Sequence, residues 1–532
     1  MLMTTADYRQ SLRTLSPRVF VNGRRVESVA DDPQLAPGIA ATGVLYDLAH
    51  VDEHKPLMTA VQRTSGKTVN RMLHVSESSQ DLLYKLEAIR LACRVSGCAM
   101  RYLSHDAVNA IFQATRICDD AEGTDYHQRF VTYLHAMQDK DYTLGVAMTD
   151  AKGDRSKRPH QQANPDAYVH IAERRRDGIV ISGTKAIITG APYVHELLVM
   201  PCRTMAKEDA DFAVCCAVPL DAPGITIAAR PAGRPGEKGA KYSAKYGQST
   251  GAAIFENVFV PWDRVFLAGE WQHSGLLTTN YATHHRHSCI GARAGFGDLL
   301  IGAGVLMTEA NGLDFERHGH LRDSMVELIK IVEGFFACGV AASVYGAKDV
   351  SGTMMPDAVF ANVGKLLLAT QIYDMHRLAH TVSGGLVVAL PGPDEDHNPH
   401  TGAKLADVLR ASPSVSSAER LEVARLLEDV TASYAGGWMS LISLHGGGSP
   451  EAMKREIWRN YPVRERTALV EGLLDRGVTA DTARPRDSQP GRCCATGCDV
   501  PQPARSEPAE PAAPKPKRTS PRARKPKREA AE

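Results

Sequence analysis

The chain has 532 residues, 43% apolar and 23% charged, and 62 Lys and Arg against 61 Asp and Glu leave a net charge of +1. That length exceeds a single small core, and the composition excludes a mostly disordered chain and a uniformly basic nucleic-acid-binding body. Eleven cysteines without a disulfide-scaffold spacing exclude a small secreted framework and place the chain in a reducing cytoplasm, with the thiols packed as small hydrophobes.

No run of 18 consecutive apolar residues occurs, so no membrane span is expected. The first residues, MLMTTADYRQSL, lack the charged-then-apolar order of a secretory signal. Residues 1–140 read as an N-terminal helical domain. Asn22-Gly23, between the apolar runs of VFVNGRRV, is a hairpin signal inside it. From Asp81, Leu82, Leu83, Leu86, Ile89 and Ala92 recur at helical spacing, Gly97 ends or kinks the run, and the pattern continues to about Asp120.

Residues 141–272 change character. Short β-rich runs such as GIVISG, ELLVMPCR and FAVCCAVPL, separated by Gly, Pro and Asp, argue a small barrel or sandwich, taken here as a β-barrel domain. Its central stretch is Ala147–Thr189. Met148, Thr149 and Asp150 lead into a polar loop with Arg155, Ser156 and Lys157, and a second strand-like run ends in Gly183-Thr184-Lys185. Strand ends of this kind present hydroxyls and free backbone N–H groups at a sheet edge, which suits a flat, phosphate-bearing ligand.

Residues 273–480 return to helical patterns of 16 residues or more, with apolar positions at i, i+3, i+4 and i+7, and read as a C-terminal four-helix bundle. The helix LLLATQIYDMHRLAHTVSGGLVV is apolar nearly all round, which calls for burial on more than one side and hence a homotetramer or dimer. Gly384-Gly385 breaks it, next to a cofactor or a neighbouring subunit. Residues 481–532 form a Pro/Ala-rich tail with eight basic residues between Lys515 and Arg528. It is expected to be disordered, and solvation accounts for it without a nucleic-acid partner. Cys493, Cys494 and Cys498 in this tail lack the second pair that a metal site requires.

The chain has no G-x-G-x-x-G after a strand, no P-loop and no H-E-x-x-H, so a dinucleotide fold of the Rossmann type is not expected. His284, His285, His287 and Cys289 offer four ligand types in one helical stretch. Neighbours on a helix point to different sides, so only His284 with His287, or His285 with Cys289, can share a face. No metal site is assigned. His285, Arg286 and Arg293 could hold an anion or stabilise an enolate. In Leu444-His445-Gly446-Gly447-Gly448-Ser449-Pro450, the three glycines serve either as a helix cap or for close backbone approach to a ligand.

Met148-Thr149-Asp150, Gly153-Asp154-Arg155-Ser156-Lys157-Arg158-Pro159 and Gly183-Thr184-Lys185 together resemble the flavin-cradling region of the 4-hydroxyphenylacetate 3-hydroxylase/4-hydroxybutyryl-CoA dehydratase superfamily. The resemblance covers most of residues 1–480 and implies an α+β, acyl-CoA dehydrogenase-like fold: helical domain, β-barrel, four-helix bundle. It implies FAD, used as FADH2, held by Met148, Thr149, Asp150, Arg155, Ser156, Lys157, Thr184 and the segment His445, Gly446, Gly447, Gly448. His285 and Arg293 are the candidate catalytic residues, from the anion-holding chemistry of their side chains.

The dehydratase branch carries an iron–sulfur cluster on three Cys and one His. The matching positions here are Cys98, Tyr102, His285 and Ala292. Two of the four cannot donate a thiolate, so no cluster is expected. Ile442 replaces an acid/base Glu of that branch, and the phenol-binding Arg, Tyr and His of the hydroxylase branch fall near Leu103, Ala107 and Val146. The expectation is a two-component monooxygenase that takes FADH2 from a separate reductase and oxygenates a small molecule. The alternatives are a cluster-free relative of the dehydratase/vinylacetyl-CoA isomerase acting on an acyl-CoA, and a non-catalytic scaffold.

Overall fold

Capping chemistry marks where the helices begin. The Thr4 hydroxyl accepts from the Asp7 N–H at 3.2 Å while Asp7 accepts from the Thr4 N–H, and Ser78 with Asp81 and Ser416 with Glu419 repeat this box. The computed structural model describes residues 2–474. The tail expectations, including those for Cys493, Cys494 and Cys498, lie outside the described residues.

The helices are α1 Thr5–Arg13, α2 Ala36–Asp47, α3 Lys55–Met58, α4 Ser79–Ser96, α5 Tyr102–Glu122, α6 Tyr126–Lys140, α7 Ser274–Ala310, α8 Gly319–Val344, α9 Ala358–Ser383, α10 Gly402–Val408, α11 Ser417–Thr431, α12 Tyr434–His445, α13 Pro450–Asn460 and α14 Val463–Leu473. The first 140 residues also hold two hairpins, β1 Val19–Val21 with β2 Arg24–Val26, and β3 Thr59–Gln62 with β4 Lys67–Asn70. At the first turn Asn22 (φ 52°) and Gly23 (φ 76°) are both left-handed, the two-residue geometry that the Asn-Gly pair favours. Gly97 (φ 63°) ends α4.

The strands of residues 141–272 are β5 Leu144–Ala147, β6 Thr149–Asp150, β7 His170–Arg174, β8 Gly178–Thr189, β9 Glu196–Val199, β10 Val214–Pro219, β11 Ile225–Ala229, β12 Thr250–Pro261 and β13 Val265–Ala268. They correct the expected barrel. One sheet runs β2-β1-β11-β12-β8-β6 with β7 on β8, and the other runs β13-β10-β9-β5. A barrel needs its end strands paired, and among the described residues neither sheet closes on itself. The first hairpin joins the larger sheet, because Val19 and Val21 are buried and β1 pairs in parallel with β11. One hydrophobic core therefore extends from Tyr8 to Ala292. A second, centred on α7, α8, α9 and α11, includes Ile290, Phe296, Val332, Leu368 and Leu427.

The axis of the molecule is α7. By length and apolarity residues 271–310 could cross a membrane, but 67% of the most apolar window is buried inside the protein. Its glycines serve close packing. A Cβ on Gly295 would meet the Arg90 carbonyl oxygen of α4 at 2.4 Å, so only glycine lets the two backbones approach this closely. Gly384 (φ 70°) ends α9, and a Cβ on either Gly384 or Gly385 would meet nothing within 4 Å.

Candidate active site

Two groups of sequence-picked residues occupy different settings. The first is the edge formed by β6 and β8. Asp150 is buried and spent within the fold: its Oδ1 lies 2.7 Å from Lys185 Nζ and accepts from the Val169 N–H at 2.9 Å. Lys185, also buried, donates to the Met148 and Met200 carbonyls at 3.0 and 2.8 Å. Asp150 is thus a brace that ties β6 to β8.

Thr149 and Thr184 are half-buried, and their hydroxyls have no hydrogen-bond partner among the described residues. The loop that follows is held from below. Asp154 accepts from the Ser156 N–H and hydroxyl at 3.0 and 2.7 Å and pairs with Lys157 at 3.5 Å. Gln162 bonds the Asp154 backbone on both sides. Arg158 and His160 both reach Asp209, His160 Nδ1 at 2.6 Å. Burial works to raise Asp209, but hydrogen bonds from the Ala206 N–H, His160 and Arg158 outweigh it and bring the carboxyl down to about 2. Arg155, Ser156 and Lys157 stay exposed.

The second group lies along α7. The three histidines face three ways. His284 Nε2 meets Gln113 Oε1 of α5 at 3.2 Å, His287 Nε2 meets Ser343 Oγ of α8 at 2.8 Å, and His285 Nδ1 meets Asp106 Oδ2 of α5 at 3.0 Å. Burial pushes His284 and His287 well below the ordinary imidazole value, with Lys85 nearby adding to it. His285 goes the other way. Burial opposes its charge, yet Cys289 and Asp106 outweigh burial and raise it to about 9. Its Nε2 lies 3.6 Å from the Cys289 sulfur, the shared face expected from the spacing. Burial likewise raises Cys289, and the charge and hydrogen bond of His285, with Lys365 and Arg293, turn the net shift downward.

Asp106 is fully buried at the centre. It accepts from the Ser288 hydroxyl at 2.5 Å, and Lys85 Nζ stands 3.8 Å away. Burial alone would raise it, but His105, His285 and Lys85 hold it well below the usual carboxylate range. Burial brings Lys85 down to about 8 despite Asp106, and Lys365 likewise to about 8. Sequence reading did not pick out Asp106. Its only signal was a charged residue on the apolar helix that crosses α7.

Arg293 donates from Nε to Ser443 Oγ at 2.6 Å, and its Nη2 lies 4.0 Å from the Cys98 sulfur. Its buried Nη1 has no partner among the described residues. The Cys98 thiol donates to Gln248 Oε1 at 3.2 Å. The His445–Gly448 segment closes over α7: the Gly447 carbonyl accepts from Arg286 Nε at 2.9 Å, and a Cβ on Gly447 (φ 77°) would approach His285 Cδ2 to 3.3 Å. Lys365 Nζ donates to the Ser443 carbonyl at 2.7 Å. The structure therefore brings His285, Arg293 and the triple glycine together, while His445 itself stays exposed. Tyr102 and Tyr281 flank the His285 ring, with centroids at 6.1 and 5.3 Å.

The two regions are linked through the start of α7. Thr278 Oγ1 donates to the Pro201 carbonyl, next to the Met200 carbonyl that Lys185 holds, and His285 lies about 10 Å further along the helix. Beside Cys98 a narrow crevice with about 30 Å³ of free space is lined by Tyr242, Gln248, Phe296 and Trp438. The Tyr242 hydroxyl and Gln248 Nε2 have no partner there. Among the described residues no group of three or more His, Cys, Asp or Glu is placed to hold a metal ion.

Known proteins resemble the chain along most of its length. Residues 4–267 match the 4-hydroxyphenylacetate 3-hydroxylase N-terminal family and residues 274–475 the C-terminal family. The chain is 34% identical over 489 residues to 4-hydroxybutyryl-CoA dehydratase/vinylacetyl-CoA-Delta-isomerase of Clostridium aminobutyricum, covering 89% of this chain and 99% of the relative. It is 24% identical to a 4-hydroxyphenylacetate 3-monooxygenase oxygenase component of Thermus thermophilus, covering 88% and 96%. An oxygen-tolerant archaeal 4-hydroxybutyryl-CoA dehydratase from N. maritimus superposes with a TM-score of 0.86 at 33% identity, over 91% of this chain and 97% of that one. The oxygenase component of 4-hydroxyphenylacetate 3-monooxygenase complexed with FAD shares the fold, with a TM-score of 0.79 at 21% identity over 89% and 98%. With both halves matched and a relative at 34% identity along nearly its whole length, the chain belongs to the 4-hydroxyphenylacetate 3-hydroxylase family.

Proposed function

We propose that this protein is a flavin-dependent oxidoreductase that takes reduced FAD from a separate reductase and uses O2 to oxygenate a small organic substrate. One observation carries the reading: two unpartnered threonine hydroxyls stand at a braced strand edge beside a cationic loop, in a family with an oxygenase component crystallised with FAD. FAD fits the residues present in part. Thr149 and Thr184 can donate to ring carbonyls and nitrogens, and Arg155 and Lys157 suit phosphates. Gly446–Gly448 allow close backbone approach. Asp150 is committed to Lys185 and serves the site as a brace.

Bound reduced FAD supplies the electrons for oxygen activation. The chain contributes two positioned groups in its buried interior. His285, held by Asp106, carries a proton, and the free Nη1 of Arg293 can receive an anionic substrate oxygen. An iron–sulfur cluster does not fit. Tyr102 and Ala292 stand at two ligand positions, both ring nitrogens of His285 are engaged, and the Cys98 thiol is bonded to Gln248.

A second reading, proton shuttling on an acyl-CoA without a cluster, is favoured by the 34% identity to a dehydratase/isomerase. Anaerobic titration of FADH2 followed by absorbance tests the common part. Saturable binding is expected, and none at tens of micromolar defeats both readings. Oxygen uptake stimulated by a phenol panel supports oxygenation. Deuterium exchange at the alpha carbon of a short acyl-CoA without oxygen uptake supports the second reading.

The proposal extends to organisation: a helical part to residue 140, a strand part to 272, a bundle to 480, and a tail outside the described residues. Val326, Ile329 and Tyr373 are 53%, 42% and 50% exposed on α8 and α9, and exposed apolar side chains of this kind support a homodimer or homotetramer. The eight described cysteines are all free, consistent with the cytoplasm.

A further inference from the structure

We infer that Cys289 is the nucleophile of a Cys289–His285–Asp106 relay that reacts with a small carbon electrophile carrying an anionic oxygen. The three groups stand in the order that activates a thiol. The sulfur is 3.6 Å from His285 Nε2, and the opposite ring nitrogen is 3.0 Å from Asp106 Oδ2. A base beside the nucleophile, oriented in turn by a buried carboxylate, is the arrangement that makes a weak nucleophile reactive. Asp106 comes from α5 and the other two from α7, so the relay spans a helix–helix contact. Ser288 fixes the carboxylate through its other oxygen.

A second observation points to the ligand. Arg293, one turn beyond Cys289, is 4% exposed, and its Nη1 has no partner among the described residues. A buried guanidinium N–H left unpaired is costly unless an anion reaches it. Cys289 is itself 8% exposed, against 0% for Cys93 and 3% for Cys98, the least enclosed of the three buried thiols near Arg293. In the resting pair the sulfur's proton already lies on His285 Nε2, the thiolate lone pair forms the new S–C bond, and the leaving group departs with its bonding pair. Arg293 meanwhile holds the anionic oxygen.

The inference does not depend on flavin, and it is tested on the full-length protein as purified. Parallel samples receive limiting iodoacetate or iodoacetamide, in which iodide is the leaving group, and each cysteine is quantified by peptide mass spectrometry. Cys202 and Cys338 are more exposed than Cys289, but burial raises both thiols and Cys202 reaches about 11. Cys289 should be alkylated about tenfold faster than either, because the thiolate is the reactive form. Its iodoacetate-to-iodoacetamide ratio should exceed theirs. His285→Gln should bring the Cys289 rate down to that of Cys338, and if this variant does not fold, the competition within the wild-type chain still decides. Labelling of Cys289 no faster than that of Cys202 and Cys338 overturns the relay. An equal reagent ratio at all three sites overturns the anion-selective part.

Discussion

The strand edge and the helical centre handle polar groups in opposite ways. At the edge, the charges that matter to the fold sit underneath: Asp150 with Lys185, and Asp209 with Arg158 and His160. The upper surface keeps free hydroxyls and cations. In the centre, Asp106 gathers His285, Ser288 and Lys85 from other helices. A surface with spare donors is ready for a ligand that brings its own acceptors. A buried interior with an unpartnered Arg293 N–H and a steered thiol is ready for chemistry on a small group. The proposed function puts binding at the edge and reaction in the centre, and that division can be broken at either place.

The largest expected effect comes from the brace. Asp150→Ala leaves Lys185 buried and uncompensated among the Met148 and Met200 carbonyls, and breaking a buried pair from one side costs about 3–5 kcal/mol. Urea unfolding should show the loss in the absence of any flavin. A variant as stable as the wild type that no longer binds flavin would make Asp150 a ligand and erase the distinction between underside and upper surface.

A smaller effect follows from acid. Asp209 falls to about 2 in the folded chain, below the ordinary aspartate value of 3.8. Its stabilising contribution is therefore complete above about pH 4 and is lost as pH falls from there through 2, a change of about 2 kcal/mol. Unfolding free energies measured at pH 5 and at pH 2.5 should differ less in Asp209→Asn than in the wild type. Equal pH dependence in both would show that the Arg158–His160 anchor does not hold the loop.

Much of this was legible in the chain. Asn22-Gly23 revealed a hairpin because few other pairs accept two left-handed residues, and the 3.6-residue periodicity located the long helices. The 100° step per residue also separated His285 and Cys289 from their neighbours. The second hairpin was legible and was missed, since Ser65-Gly66 stands between β3 and β4 as a turn signal. Other features lay beyond local pattern. Asp106 meets His285 across 179 positions of sequence, and Asp209 meets Arg158 across 51. Whether short strands close into a barrel depends on which edges pair, which alternation along each strand does not encode.

The finest test of the contrast is a single hydroxyl. Thr184→Val keeps the shape of the side chain and removes an oxygen that has no partner in the folded chain. Stability should stay within about 0.5 kcal/mol of wild type, as for a substitution that breaks no internal contact. Affinity for reduced FAD should fall about two- to tenfold, because one neutral hydrogen bond contributes roughly 0.5–1.5 kcal/mol. Thr431→Val is the mirror image. Its hydroxyl is bonded to the Leu427 carbonyl and, at 2.7 Å, to His380, so that variant should lose stability and keep its affinity. Anaerobic FADH2 titration and thermal melting of the pair read out both quantities. If Thr184→Val binds reduced flavin as tightly as wild type while remaining folded, the β6–β8 edge does not hold the flavin, and the division between a binding edge and a reacting centre fails with it.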